Sequence, residues 1–256
     1  MLKFSPANAK LKALQLVPEL QPYLQNKRKV YSYDSGLSGW TCPGAKDCLA
    51  KVQVVDGKRK VVDGPDAVIR CFSASQEALF TNVFNQRKAN YDFLKQFRDS
   101  RTMSQAIADC MPKNLGILRL NVAGDIFSQV YFDAVIMLAA NHPDRLFYAY
   151  TKSLHFWSRR IDDIPDNLIM TASWGGRYDH LIKENNFRSA IVVNYIADAD
   201  KLGLTIDHTD EWAANPSLKN RDFALLIHGP QAAGSEAGKA IQTMKKENVK
   251  FSYPRA

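Results

Sequence analysis

The sequence predicts an α/β fold, an incomplete or irregular parallel βα barrel with an N-terminal cysteine loop and a β-hairpin. Three observations predict it. Apolar runs recur at 115–125, 145–153, 167–175, 188–196 and 223–229. Helical patterns fill segments between them, two ended by proline. An earlier run, VYSYDSG (30–36), supplies a sixth candidate strand ahead of a turn-rich segment that holds two cysteines. Strands alternating with helices argue for parallel βα units. An open doubly wound sheet satisfies the same alternation and is the alternative.

Composition sets the bounds. A chain of 256 residues is long enough for one barrel-sized domain, 1–256, with a sizeable core. With 46% hydrophobic and 23% charged residues it reads as soluble and globular. No run approaches the roughly 18 apolar residues of a membrane span, so no membrane partner is expected. The N-terminal stretch MLKFSPANAKLKALQLVPELQPYL lacks the apolar core of a signal peptide. A cytoplasmic setting follows as an expectation, and there thiols stay reduced. The net charge of +8 is spread over short groups such as Lys27-Arg28-Lys29, Lys58-Arg59-Lys60, Arg159-Arg160 and Lys245-Lys246. Such groups are commonly solvated surface, yet they leave a nucleic-acid partner open. No zinc-finger or RNA-recognition signature accompanies them.

Taken in order, residues 1–30 are polar and punctuated by proline, an arm or short helix laid on the body. Residues 31–72 hold the cysteine loop and the hairpin KVQVVDGKRKVVDG (51–64), whose Asp56-Gly57 suits a tight primed turn. Residues 73–256 hold the helices and βα units. Residues 74–99 read as one long helix. Leu79, Phe80, Val83, Phe84, Tyr91, Leu94 and Phe97 would form its core-facing stripe. A shorter helix at 104–111 carries Cys110 among apolar neighbours, where core packing is expected. Further helices are expected at 131–143, 155–165, 178–185 and 236–248.

In such a fold the working face lies at the carboxyl ends of the strands. That rule selects Gly124 and Asp125, then Thr151, Lys152 and Ser153, then Ser173, Trp174 and Gly175, then Asn194 and Tyr195, and finally His228 and Gly229. Asp125, Lys152 and His228 are the candidate catalytic groups, as anchors or proton carriers. Gly124, Asp125 and Ser173 are the candidate cofactor contacts.

The stretch SGWTCPGAKDC (38–48) poses the main chemical question. Cys42 and Cys48 precede the hairpin and Cys71 follows it, so a tight turn can bring all three together. Three soft thiolates in a reducing compartment suit an iron–sulfur cluster or zinc. The spacing Cys-x5-Cys is neither the Cys-x2-Cys knuckle of structural zinc nor the Cys-x3-Cys-x2-Cys loop of ordinary radical enzymes. A wide loop with Gly39, Gly44 and Pro43 favours a bulky [4Fe–4S] cluster over a single ion. Three unrelated free cysteines are the bland reading. A fourth ligand is open among Cys110, His208, His228 and a non-protein group. The loop HGPQAAGSEAGK (228–239) lacks the Lys-Ser or Lys-Thr of a phosphate loop, which argues against nucleotide hydrolysis. Its glycines and helix start leave anion binding as a lesser option.

TCPGAKDC, the later Cys71, and RLNVAGDIFSQVYFDAVIMLAANHPDRLFYAYTKS (119–153) resemble the phage gene product 88 family. The resemblance covers about residues 31–175. Many members carry further cysteines near the C-terminus, and this chain has none after Cys110. The resemblance implies a viral protein made in the cytoplasm of an infected bacterial host, with Cys42, Cys48 and Cys71 as metal ligands. It implies no settled activity. At the level of architecture the layout is similar to radical S-adenosylmethionine enzymes, which would place Gly124 and Asp125 near the methionine amino group. The expected function is an iron–sulfur protein with redox or small-molecule chemistry at its cluster. The alternative is a structural zinc protein that binds nucleic acid. Ranked last is a metal-free enzyme with Asp125 and Lys152 as its acid–base pair.

Overall fold

The structure is a computed structural model that describes residues 1–249. The chain runs through β1 (Ser5–Pro6), α1 (Ala9–Lys12) and α2 (Gln21–Leu24) into β2 (Lys29–Ser32). A ribbon follows, β3 (Ala50–Val55) and β4 (Lys58–Asp63), then α3 (Phe72–Leu79), α4 (Thr81–Leu94) and α5 (Ser100–Cys110). From there strands and helices alternate: β5 (Leu115–Arg119), α6 (Gln129–Ala140), β6 (Leu146–Thr151), α7 (Leu154–Trp157), β7 (Leu168–Ser173), α8 (His180–Glu184) and β8 (Ser189–Val193). Then come α9 (Ile196–Leu202), α10 (Glu211–Ala214), β9 (Phe223–Leu226) and α11 (Glu236–Lys246).

Seven strands form one sheet in the order β1-β2-β5-β6-β7-β8-β9. Only β1 is antiparallel to its neighbour. Each parallel strand adds beside the one before it. A doubly wound sheet would reverse direction part-way, so the arrangement is that of a curled half-barrel.

Strands β5, β6 and β7 are buried almost along their whole length. Near-continuous burial means that both faces are covered. On one face Leu118, Phe147 and Met170 pack with Ile107 of α5 and Phe132 and Val135 of α6. On the other, Ile117, Leu146, Tyr148 and Ile169 meet Leu11, Leu14, Val17 and Leu20, with Ala213 and Ala214 of α10. The N-terminal residues are therefore short helices laid on the body, the second of the two forms expected, and they serve as a covering layer. The βα helices pack on the first face, and the second needs cover from elsewhere.

The ribbon forms at 50–63 as expected, with Asp56 at φ 53° and Gly57 at φ 71°. Both central residues of a type I′ turn need positive φ, which Asp-Gly accepts. The long helix over 74–99 does not form. It breaks at Phe80, which is extended at φ −114° and ψ 109°. Its stripe is not core-facing throughout either: Leu79 and Phe80 are exposed, while Leu94 is buried. The inward faces of α3 and α4 are instead partly polar, and they bury Ser73, Glu77, Arg87 and Asn90. Arg87 joins them. Its Nη1 donates to Glu77 Oε1 at 3.1 Å and to the Ser73 carbonyl at 3.0 Å, and its Nε to Asp34 Oδ2 at 3.1 Å. A satisfied ionic network outweighs apolar periodicity here.

Candidate functional site at the strand ends

The cysteine loop lies across the carboxyl ends of three neighbouring strands. After β5, Asp125 N–H donates to the Thr41 carbonyl at 3.1 Å. After β7, Arg177 N–H donates to the Gly44 carbonyl at 2.8 Å, and Asp47 N–H to the Gly175 carbonyl at 2.9 Å. The end of β6 fits beneath the loop because residue 44 is glycine. A Cβ there would lie 2.1 Å from the Lys152 carbonyl oxygen, which no side chain can tolerate.

The segment leading to Cys71 is tied to the same loop. Val68 and Ile69 N–H both donate to the Asp47 carbonyl, at 2.9 and 3.0 Å. Beyond it, the Gln231 side chain clips the backbone of Arg70, accepting from its N–H at 2.8 Å and donating to its carbonyl at 3.1 Å. Phe72 packs against His228 with ring centroids 5.0 Å apart and the rings tilted by 46°. Cys71 therefore stands between the cysteine loop and the end of β9.

Cys42 and Cys48 both lie close enough to Cys71 and Asp125 to feel them. Burial pushes the Cys42 thiol well up, and the nearby Asp125 and Cys71 add to that. Burial pushes Cys48 up to about 11 against the Lys152 ammonium, with Cys71 and Asp125 raising it further. All four cysteines are free and partly buried. A nucleophilic or redox-active cysteine has a lowered pKa; burial moves Cys42 and Cys48 the other way, toward the neutral thiol. Cys110 is elsewhere: it ends α5 and packs against the core. His208 is exposed on the segment leading into α10.

The other expected site residues divide in two. Asp125 joins the cysteine site, but its carboxylate is held by the chain itself. It accepts from Thr151 Oγ1 at 2.6 Å, Ile126 N–H at 2.6 Å and Lys152 N–H at 2.9 Å. Burial still raises it. Gly124, at φ 78°, lets Ser35 and Thr41 close over the end of β5. Lys152 points its ammonium at the end of β7, donating to Ser173 Oγ at 2.8 Å, the Ser173 carbonyl at 3.2 Å and the Trp174 carbonyl. Ser173 is thus a holder of Lys152. These acceptors are neutral, so the pinned charge faces Cys48 without a carboxylate among them.

His228 belongs to a second polar group inside the half-barrel, which sequence reasoning missed. Asp210, fully buried, accepts from Lys10 Nζ at 2.6 Å, Arg119 Nη1 at 2.5 Å and Tyr148 OH at 3.1 Å. Burial alone would raise its carboxyl, but Arg119 and Lys10 outweigh it and bring it down to about 2. Burial, with Lys10 and Arg119 nearby, brings His228 down to about 4. The alternation of Tyr148 and Tyr150 on β6 hinted at a polar patch on one face. Nothing local announced Asp210, which sits in a loop at φ 63°.

Among the described residues, no three His, Cys, Asp or Glu side chains stand at the spacing that one metal ion needs. No helix among them is long and apolar enough to cross a membrane.

Fold and site together define a parallel half-barrel α/β protein whose carboxyl-end mouth is roofed by a cysteine loop. The chain belongs to the phage family Gene product 88, whose family model matches residues 2–246. The match extends the likeness seen over 31–175 across nearly the whole chain. Comparison with curated proteins gives no match, and neither does comparison with solved structures.

Proposed function

We propose that Cys42, Cys48 and Cys71 bind one [4Fe–4S] cluster at the mouth of the half-barrel, in the cytoplasm of an infected bacterial host. The observation that supports the reading is the cysteine loop lying across the ends of β5, β6 and β7, with the segment that leads to Cys71 tied to the same loop. Zinc would draw its ligands to about 2.3 Å from one point, and no such convergence occurs among the described residues. A cluster takes each thiolate on a different iron and tolerates wider separation. It also supplies the positive charge that thiols raised by burial need before they deprotonate. Bound by three thiolates, it brings one-electron chemistry and an iron with an open position. Asp125 then fixes the ends of β5 and β6, and Lys152 places a cation beside Cys48, favouring its thiolate.

The test is anaerobic reconstitution followed by an absorption spectrum and iron, sulfide and zinc analysis. A broad band near ~400 nm with about four irons and four sulfides is expected, lost when the three cysteines are changed to serine. One zinc without sulfide, or a colourless folded protein, overturns the reading. The likeness to radical S-adenosylmethionine enzymes rests on the sequential half-barrel and its cysteine loop alone. A change in the cluster's electron paramagnetic spectrum on adding S-adenosylmethionine is the measurement that decides it.

One observation favours a second reading, nucleic-acid binding. The outer face of the ribbon carries Lys51, Lys58 and Lys60 with Val55 and Val62, and Lys51 lies 4.5 Å over the exposed ring of Trp40. Lysines beside an exposed aromatic suit single strands. Binding to a single-stranded oligonucleotide that weakens steeply with salt supports it. Absence of binding at low salt removes it.

A further inference from the structure

An open cleft of about 620 Å³ lies at the carboxyl end of β8. It falls within the range of small-molecule sites. Val68 and Ile69 form one wall, three and two residues before Cys71, and Val193 with Asn194 forms the strand end. Asp198 in the first turn of α9 and Glu236 in the first turn of α11 complete it. Its surface is mostly apolar.

Charge decides what it takes. The protein carries +8 overall, yet among the described residues two carboxylates and no lysine or arginine line this cleft. An anion is disfavoured even though the α11 N-terminus opens here. Glu236 occupies its first turn, and the Gly238 N–H is already taken by Ser235 Oγ at 3.0 Å. Asp198 spends Oδ2 on the Tyr195 N–H at 3.1 Å. Oδ1 lies 3.8 Å from the ammonium of the exposed Lys201. Glu236 is exposed to solvent at the rim. The Asn194 carboxamide adds a further polar group at the strand end.

We propose that this cleft binds a small molecule with an apolar body and a single ammonium head. The head meets Glu236 and Asp198, and the body lies along Val68, Ile69 and Val193. The site stands on strand-end geometry and does not require the cluster, although it opens beside Cys71.

The test uses three probes with one hydrocarbon body: hexylammonium, hexanol and hexanoate. Saturation-transfer NMR on the full chain should rank hexylammonium first and hexanoate last. Glu236→Gln should weaken hexylammonium about tenfold, one ionic contact's worth, while leaving hexanol unchanged. Val68→Asp should weaken hexanol. Equal binding of the three probes, preference for hexanoate, or no binding of hexylammonium overturns the proposal. Running the titrations on metal-free and reconstituted protein separates the two ideas. A failed reconstitution with intact ammonium selectivity removes the cluster and leaves the cleft. A good cluster with no selectivity does the reverse.

Discussion

His228 shows how one residue's surroundings decide its role. By position at a strand end it reads as a candidate acid or base. In place it is a low-pKa imidazole between Phe72 and the cations Lys10 and Arg119, neutral across the physiological range. Its folded pKa, about 4, lies below the ordinary 6.5. Between those values the unfolded chain binds the extra proton, so stability is full above about pH 6.5 and declines as pH falls toward 4. The decline attributable to this group is on the order of 2–3 kcal/mol. Urea unfolding at pH 7 and pH 4.5 should show it, and His228→Phe should flatten that part of the profile. Asp210 adds loss only lower, between about pH 4 and 2, as its depressed carboxylate protonates. Asp125 is legible in the sequence as a strand-end acid, but its commitment to three donors is not. Asp125→Ala strands buried N–H groups of Ile126 and Lys152 and should cost about 2–4 kcal/mol. A loss below 1 kcal/mol by chemical denaturation would mean that water replaces the carboxylate.

At the scale of elements, the alternating rhythm after residue 115 was readable because buried parallel strands are written as apolar runs and their connections carry turn residues. The ribbon was readable because Asp-Gly has a specific backbone preference. The α3–α4 pair was not, because an amphipathic count treats Arg87 and Asn90 as the wet face. Burial of a charged face depends on Asp34 and Ser38 arriving from distant sequence, and on the break at Phe80 that folds Glu77 back onto Arg87. That network also holds the cysteine loop: Ser38 donates its N–H and hydroxyl to Glu77, at 3.0 and 2.8 Å. Arg87→Met should therefore destabilise by about 3–5 kcal/mol, since it leaves the Glu77 charge buried without a counter-ion. Burial already raises the Glu77 carboxyl, so protonation recovers part of that loss, and the variant's deficit should shrink at lower pH. The pair Glu77→Gln with Arg87→Met should be less destabilised than Arg87→Met alone. Additive losses in the double-mutant cycle would show that the ion pair is not what couples α3 to α4.

For the whole molecule, the alternation of parallel strands with helices followed from the sequence, whereas the sequential strand order and the cover on the second face did not. Residues 1–24 look peripheral because Leu11, Leu14, Val17 and Leu20 are separated by polar residues and prolines, with no long periodic helix. Short helical turns place all four against Ile117, Tyr148 and Ile169. Lys10 of the same segment reaches the buried Asp210, so this layer is both apolar and ionic. The four side chains contribute about 1.5–3 kcal/mol each, or about 6–12 together. Whole domains are stable by about 5–15 kcal/mol. Deleting residues 1–24 should thus remove most of the margin and also expose one face of the sheet. The truncated chain is expected to lose its cooperative thermal transition and to elute as aggregate. Lys10→Met separates the ionic share. It keeps the apolar layer and leaves Arg119 and Tyr148 on Asp210, so it should fold and lose only about 1–3 kcal/mol. A truncated chain that melts cooperatively as a monomer would mean that the half-barrel is stable with its second face open, and that the segment is an arm after all.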